Sequence, residues 1–375
     1  MASALASAPF ALSRDDRSAF RSADAPAKAH LARFGLTLDG LLTVGASNAK
    51  LAKGSALARA VILHHLPARS LSQAVYGAAA GPTAPRSRID GLEALAIRNE
   101  IGGLVGAHDG CPWASAGCRS GCLAWAGHGG ISTTVASCRA RRTMAFIYNP
   151  GGYAVAVLWA IAREYKKAQA QGLPLAVRLR GTDDLPWHDL RFTLYADEAR
   201  AMAHRYGLPV APGLGTTIPE ALALVPGLEP YEYSKAPLEG PYGLRAQRAA
   251  GVDTTASLAA DRPQGLARSL EAVAAGFRLA VPAGFPKSWE LPSGLLLRAD
   301  SLSPVVRLAC LDGDVTDHRW NDPQGPQGLV WDGVAVILRT KRSAGAGAAS
   351  KAFSLSPVVG EWQALAGGGF AQWEA

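Results

Sequence analysis

The sequence predicts an α/β protein, a partial or irregular (β/α) barrel with a glycine-rich cysteine loop and flexible termini. Beyond residue 149, strand-like and helix-period segments alternate at roughly 20–30-residue spacing, as in βα units building a parallel sheet. AVILMFWYC make up 49% of the chain against 18% charged residues, enough apolar material for a large core. No GxGxxG or P-loop pattern follows any strand-like run, which argues against a doubly wound nucleotide-binding sheet. The units number about four to six, short of a closed eight-fold barrel.

Residues 1–35 are rich in Ala and Ser and read as a flexible tail, and residues 36–342 read as one α/β domain. Val61–Leu66 reads as a strand ended by Pro67, and residues 75–90 as a loop. The cysteine loop, 108–138, is rich in glycine through residue 130 and is expected to be irregular there. Tyr153–Ala170 carries a helix period, Leu175–Leu179 alternates as a strand, and 191–206 again looks helical up to Gly207. Thr216 or Thr217 is placed to N-cap a helix with Pro219 and Glu220 in its first turn. Strands at 228–233, 252–258 and 277–281 then alternate with helices at 238–250 and 264–275. From residue 343 to 375 the Gly/Ala/Ser bias predicts a flexible extension.

No apolar run reaches the length of a membrane span, so no membrane partner is expected. The N-terminus lacks a basic region before its alanines, so no export signal is read and a cytoplasmic location is expected. Net charge is +8, and residues 1–150 carry 16 basic against 8 acidic side chains. A basic half of this kind attracts nucleic acid or an anionic nucleotide, and an arginine-favouring genome gives the same bias.

Three of the five cysteines, Cys111, Cys118 and Cys122, lie in one short segment, and Cys138 follows. Clustered thiols in a reducing compartment point to a metal or redox site, and glycine permits the turns that bring sulfurs together. Three cysteines suit an iron–sulfur cluster with one open iron; zinc needs a fourth ligand from Cys138, His108 or His128. Arg139, Arg141 and Arg142 follow Cys138, as anion partners or as a solvated helix start. RLRGTDDLPW at 178–187 follows a predicted strand, where parallel α/β folds place active sites. There Arg180, Thr182 and Asp184 are candidates to bind a cofactor, and Asp183 a candidate base. Lys235 closes another predicted strand and is the second catalytic candidate. Asp312, Asp314, Asp317 and Asp322 crowd DGDVTDHRWNDP, either as a hard-cation site for nuclease or phosphotransfer chemistry or as ordinary turn residues.

Four blocks, SNAKLAKG at 47–54, CPWASAGCRSGCLAWAG at 111–127, RLRGTDDLPW, and DGDVTDHRWNDP followed by VILRTK at 336–341, resemble the gene product 88 family of phages and prophages. EYSK at 232–235 looks like that family's acidic-Tyr-Thr-Lys stretch, and the resemblance spans roughly residues 40–342. The cysteine loop is similar to loops of radical-SAM-like phage proteins. That likeness implies a [4Fe–4S] cluster on Cys111, Cys118 and Cys122, with S-adenosylmethionine on the open iron and a nucleotide or nucleic-acid substrate. The spacing here is x6 then x3 instead of CxxxCxxC, and Leu123 stands where the aromatic residue usually follows. The competing expectation is a zinc-stabilised, non-enzymatic nucleic-acid-binding protein.

Overall fold

The computed structural model describes residues 20, 22–45, 49–67, 69–77, 88–120, 122, 124, 132–315, 317–328, 330–339, 354–366 and 368–374. The first part of the chain runs α1 (Ala25–Ala32), β1 (Thr43–Val44), α2 (Ala49–Lys53), β2 (Arg59–Ile62), α3 (Ser70–Tyr76), α4 (Leu92–Arg98), α5 (Gly102–Ala107), α6 (Ala116–Ser120), α7 (Thr133–Tyr148), α8 (Pro150–Ala170) and β3 (Leu175–Arg178). A middle section follows with β4 (Phe192–Leu194), α9 (Ala196–Tyr206), β5 (Gly213–Thr216), α10 (Ile218–Leu222), β6 (Leu228–Ser234), α11 (Leu244–Ala249), β7 (Asp253–Ser257), α12 (Gly265–Ala274) and β8 (Leu279–Ala283). Among the described residues five further strands follow: β9 (Gly294–Arg298), β10 (Val306–Asp312), β11 (Gly333–Arg339), β12 (Gln363–Ala364) and β13 (Phe370–Glu374).

Among the described residues eleven strands form one sheet in the order β1-β2-β3-β6-β7-β8-β11-β10-β9-β13-β12, and β4 pairs with β5 apart from it. The seven from β2 to β10 are mutually parallel, while β1, β9, β13 and β12 add antiparallel pairs at the two ends. The chain is therefore a mixed α/β protein with a large, mostly parallel sheet, and β2, β3, β6, β7 and β8 stand side by side in chain order.

Residues 153–162 are buried along their whole length, because α8 is enclosed by α1, α7 and α9 on one side and by β3 and β4 on the other. Its start is set locally: Asn149 Oδ1 accepts the Gly152 N–H at 2.9 Å, and Pro150 fills the first helical position. The capping expected near residue 216 belongs to Thr217, whose hydroxyl accepts from Glu220 N–H while the Glu220 carboxylate accepts from Thr217 N–H.

Alternation along the strands divides their side chains between two faces. Val61, Val177 and Leu228 face the helices in the larger core. Ala60, Ile62, Ala176 and Tyr231 face the other way, against Leu51 of α2 and Trp320 of the 3₁₀ turn Arg319–Asn321. A second core gathers β7, β8, β10 and β11 against α12.

Several expectations need correction. Phe192–Leu194 is a strand rather than the start of the helix read over 191–206, because it pairs with β5 through an irregular register. The tail read over 1–35 already contains α1, whose Leu31 is fully buried, with Phe34 just beyond it. The C-terminal extension ends in β13, which pairs with β9 and buries Trp373; the alternation Phe-Ala-Gln-Trp-Glu outweighs the composition around it. Inside the cysteine loop, residues 116–120 form the short helix α6. Residues 1–19, 78–87, 125–131 and 340–353 lie outside the described set, and the sequence expectations that fall there go with them. Among the described residues no helix is long and apolar enough to cross a membrane.

Candidate functional site

The carboxyl ends of β2 and β3 continue to pair beyond the regular strands. Leu63 N–H donates to Arg178 O and Gly181 N–H to Leu63 O, both at 2.9 Å. A side chain at position 181 would run into the His64 ring and stand 2.6 Å from Ile62 Cγ2, so glycine lets the imidazole lie against the backbone. The Thr182 hydroxyl donates to His65 O at 2.6 Å.

Asp183 turns inward. Its Oδ2 lies 3.0 Å from His65 Nδ1, its Oδ1 accepts Leu185 N–H at 3.1 Å, and His65 Nε2 lies 3.1 Å from the Tyr153 hydroxyl. A carboxylate only accepts, so Nδ1 carries a proton, and Nε2 pairs with the Tyr153 hydroxyl. Burial pushes the Tyr153 phenol far above its ordinary range, which keeps that hydroxyl a donor. The side chains of His65 and Asp183 have no exposed surface, and Trp187 stacks on the imidazole. In this position Asp183 orients a buried histidine.

Arg180 is also internal. Its guanidinium donates to Gln247 Oε1 and to His188 Nδ1, both at 3.0 Å, and His188 Nε2–H donates to Pro241 O. The Glu232 carboxyl accepts Leu179 N–H at 2.9 Å and Arg180 N–H at 3.1 Å. Burial pushes Glu232 up to about 8, with Arg180 and Arg178 pulling against it. Beside this network is a cavity of about 10 Å³, room for about one water molecule, lined by Arg180, Trp187, His188 and Glu232 among apolar neighbours.

The cysteine segment lies across these strand ends. Asp184 N–H donates to Gly110 O at 2.7 Å, and the Cys111 thiol points to Thr182 O at 3.7 Å. Arg119 holds Asp109 at 3.1 Å and the Cys111 carbonyl at 3.3 Å, which folds the segment on itself. Arg139, on α7, donates to Ala124 O at 2.5 Å.

Electrostatic coupling defines the group that meets here. Burial raises the half-buried Asp184 to about 6, opposed by Arg180 and Lys235. Burial likewise pushes the Cys122 thiol up to about 12; Cys118 adds to the shift, and Arg139 opposes it. Asp184, Lys235, Cys118, Cys122 and Arg139 thus share one neighbourhood. Cys138 sits on α7 and acts electrostatically on Arg142. The three arginines after Cys138 each engage a backbone carbonyl. Arg139, Arg141 and Arg142 donate to the carbonyls of Ala124, Phe34 and Gly40.

Among the described residues, no group of three His, Cys, Asp or Glu side chains is arranged to hold a metal ion. His108, Cys111, Cys118, Cys122 and Cys138 are all described, and the further candidate ligand His128 lies outside the described set. The aspartates of DGDVTDHRWNDP are engaged by arginines, tyrosines and backbone, and Arg339 Nη1 lies near both Asp312 and Asp314. Asp312 pairs with Arg339 at 2.6 Å and Asp322 with Arg319 at 2.8 Å, while Asp317 accepts from Tyr231 at 3.0 Å and Tyr233 at 3.2 Å. Lys53 of α2 donates to the Asp314 carbonyl at 2.9 Å. This block packs on the sheet face opposite the helices and ties it to α2.

The gene product 88 family model matches residues 47–206. Over this segment the chain is similar to the gene product 88 family. No curated protein and no solved structure matches it. Within the sheet the gene product 88 segment supplies β2 and β3, together with the cysteine segment and the Asp183–Asp184 turn. Glu232, Lys235 and Asp317 come from the chain beyond it, so the strand ends are completed by residues outside the matched stretch. Sequence reasoning missed His65, Tyr153 and Glu232. A histidine ending an apolar strand and a tyrosine opening an apolar helix were the only signals for the first two, and both look like core residues in sequence.

Proposed function

We propose that this gene product 88 protein is a phage-type enzyme with an acid–base site at the carboxyl ends of β3 and β6. Asp184 is the group that gains and loses the proton. Lys235 supplies the cation for an anionic substrate such as a nucleotide, and Cys118 and Cys122 form the roof. The observation that carries the reading is a half-buried carboxyl raised to about 6 at a strand end, where it holds a proton in part near neutrality. The chain-order succession of β2, β3, β6, β7 and β8 supports the companion reading of the sheet as a partial barrel, whose sites lie at those same ends.

The test is a pH titration of ¹³Cγ-labelled aspartates in the full chain, with Asp184→Asn to assign the signal. A midpoint near 6, moving upward in Lys235→Met, supports the site, because Lys235 favours the ionised form. A midpoint below about 4.5, unmoved by Lys235→Met, refutes it. Protein prepared without oxygen that carries stoichiometric iron and sulfide on these cysteines would replace this reading with a cluster.

A further inference from the structure

The turn after β7 lies outside residues 47–206, yet two of its side chains reach into the cysteine segment. Asp261 Oδ2 accepts the Gly117 N–H at 2.7 Å, inside α6 and next to Cys118. Arg262 Nη1 donates to the Trp113 carbonyl at 3.2 Å. Both bonds go to backbone, so they fix where the segment lies whatever side chains it carries. The turn is tight. Arg262 N–H donates to Ala259 O at 3.1 Å and Gly265 N–H to Arg262 O at 2.8 Å, and a side chain at 265 would collide with the Ala259 carbonyl. The Asp261 and Arg262 side chains therefore leave a rigid support. On the far side, Arg139 holds Ala124 O, so the segment carrying Cys118 and Cys122 is gripped from both ends.

We propose that Asp261 and Arg262 are positioning residues that clamp α6 over the strand ends and thereby set the reactivity of Cys118 and Cys122. The inference deepens the strand-end reading and rests on it; thiol kinetics test the clamp and the Asp184 titration tests the site, so either can fail alone.

The experiment is thiol exchange of the full chain with 5,5′-dithiobis(2-nitrobenzoate), each modified cysteine being identified by mass spectrometry. Every event forms one mixed disulfide and releases one thionitrobenzoate. Cys310, a half-buried thiol of β10 in the other core, serves as the internal reference. In Asp261→Ala, Cys118 and Cys122 should react about ten-fold faster or more, since losing one charge-assisted bond lowers the local opening energy by roughly a factor of ten in equilibrium constant. Cys310 should keep its rate. Asp261→Asn should restore the slow rate, because the amide oxygen still accepts from Gly117 N–H. Should Asp261→Ala fail to fold, Arg262→Met is read the same way, with a several-fold rise expected. Unchanged Cys118 and Cys122 rates, or an equal rise at Cys310, would overturn the proposal.

Discussion

Replacing Asp183 with alanine removes a carboxylate that accepts from His65 Nδ1 at 3.0 Å and from Leu185 N–H at 3.1 Å, where neither Asp183 nor His65 has exposed side-chain surface. Hydrogen bonds to a charged group contribute about 1.5–3 kcal/mol each, and both donors are left buried without an acceptor, so the expected loss is about 3–6 kcal/mol. Tyr153→Phe deletes only the hydroxyl on Nε2 and should cost about 1 kcal/mol. In the double variant the imidazole has lost both tethers and is free to turn, so the combined cost should fall short of the sum by about 0.5 kcal/mol or more. Urea unfolding followed by tryptophan fluorescence is the assay, and Trp187, stacked on His65, reports from the site itself. An Asp183→Ala loss below about 1 kcal/mol, or strict additivity with Tyr153→Phe, would refute the relay as the lock between β2 and β3.

Two further predictions concern the same strand ends. Glu232, raised to about 8, stays protonated in the fold at pH values where the unfolded chain has already released the proton, so stability should fall as pH rises from about 5 to about 8. Glu232→Gln should flatten the profile above about pH 6, where Asp184 has already ionised, with a gain of at most about 5 kcal/mol over the parent at the alkaline end; urea midpoints across the range check it, and parallel pH profiles would contradict it. Gly181→Ala should cost about 1–3 kcal/mol, because the new methyl displaces His64 or Ile62. A thermal melt indistinguishable from the parent would show that the ring moves aside freely.

Local order was legible where each signal is self-contained. The helix over 153–170 shows in its apolar period and its Asn-Pro start, and β3, β6, β7 and β8 show as short alternating runs. Missing from the sequence reading were β4 inside a helix-like stretch, β13 inside a Gly/Ala-rich tail, and the helices at 92–98, 102–107 and 133–148. A three-residue strand carries too few alternations to compete with a neighbouring helix period, and only pairing to β5 or β9 reveals such elements.

The candidate site divides in the same way. That Asp183, Asp184 and Lys235 follow strands could be read from the chain, since a parallel fold exposes residues at those ends. Which of them faces inward could not. Asp183 and Asp184 are adjacent and chemically identical in sequence, yet one is sealed against His65 and the other, less fully enclosed, feels Arg180 and Lys235.

The sequence by itself determined the α/β class, the order of most central elements and the segment that matches the gene product 88 family, because periodicity, capping and motif order act over a few residues. Only the tertiary structure decided where the charges and thiols went. The arginines after Cys138 each met a backbone carbonyl, the aspartates of 312–322 met arginines, tyrosines and backbone, and the turn at 261–262 was brought onto the cysteine segment. The turn at 261–262 alone meets partners 144 and 149 residues away. Burial, which sets the cost of an unpaired charge, exists only once the sheet has assembled.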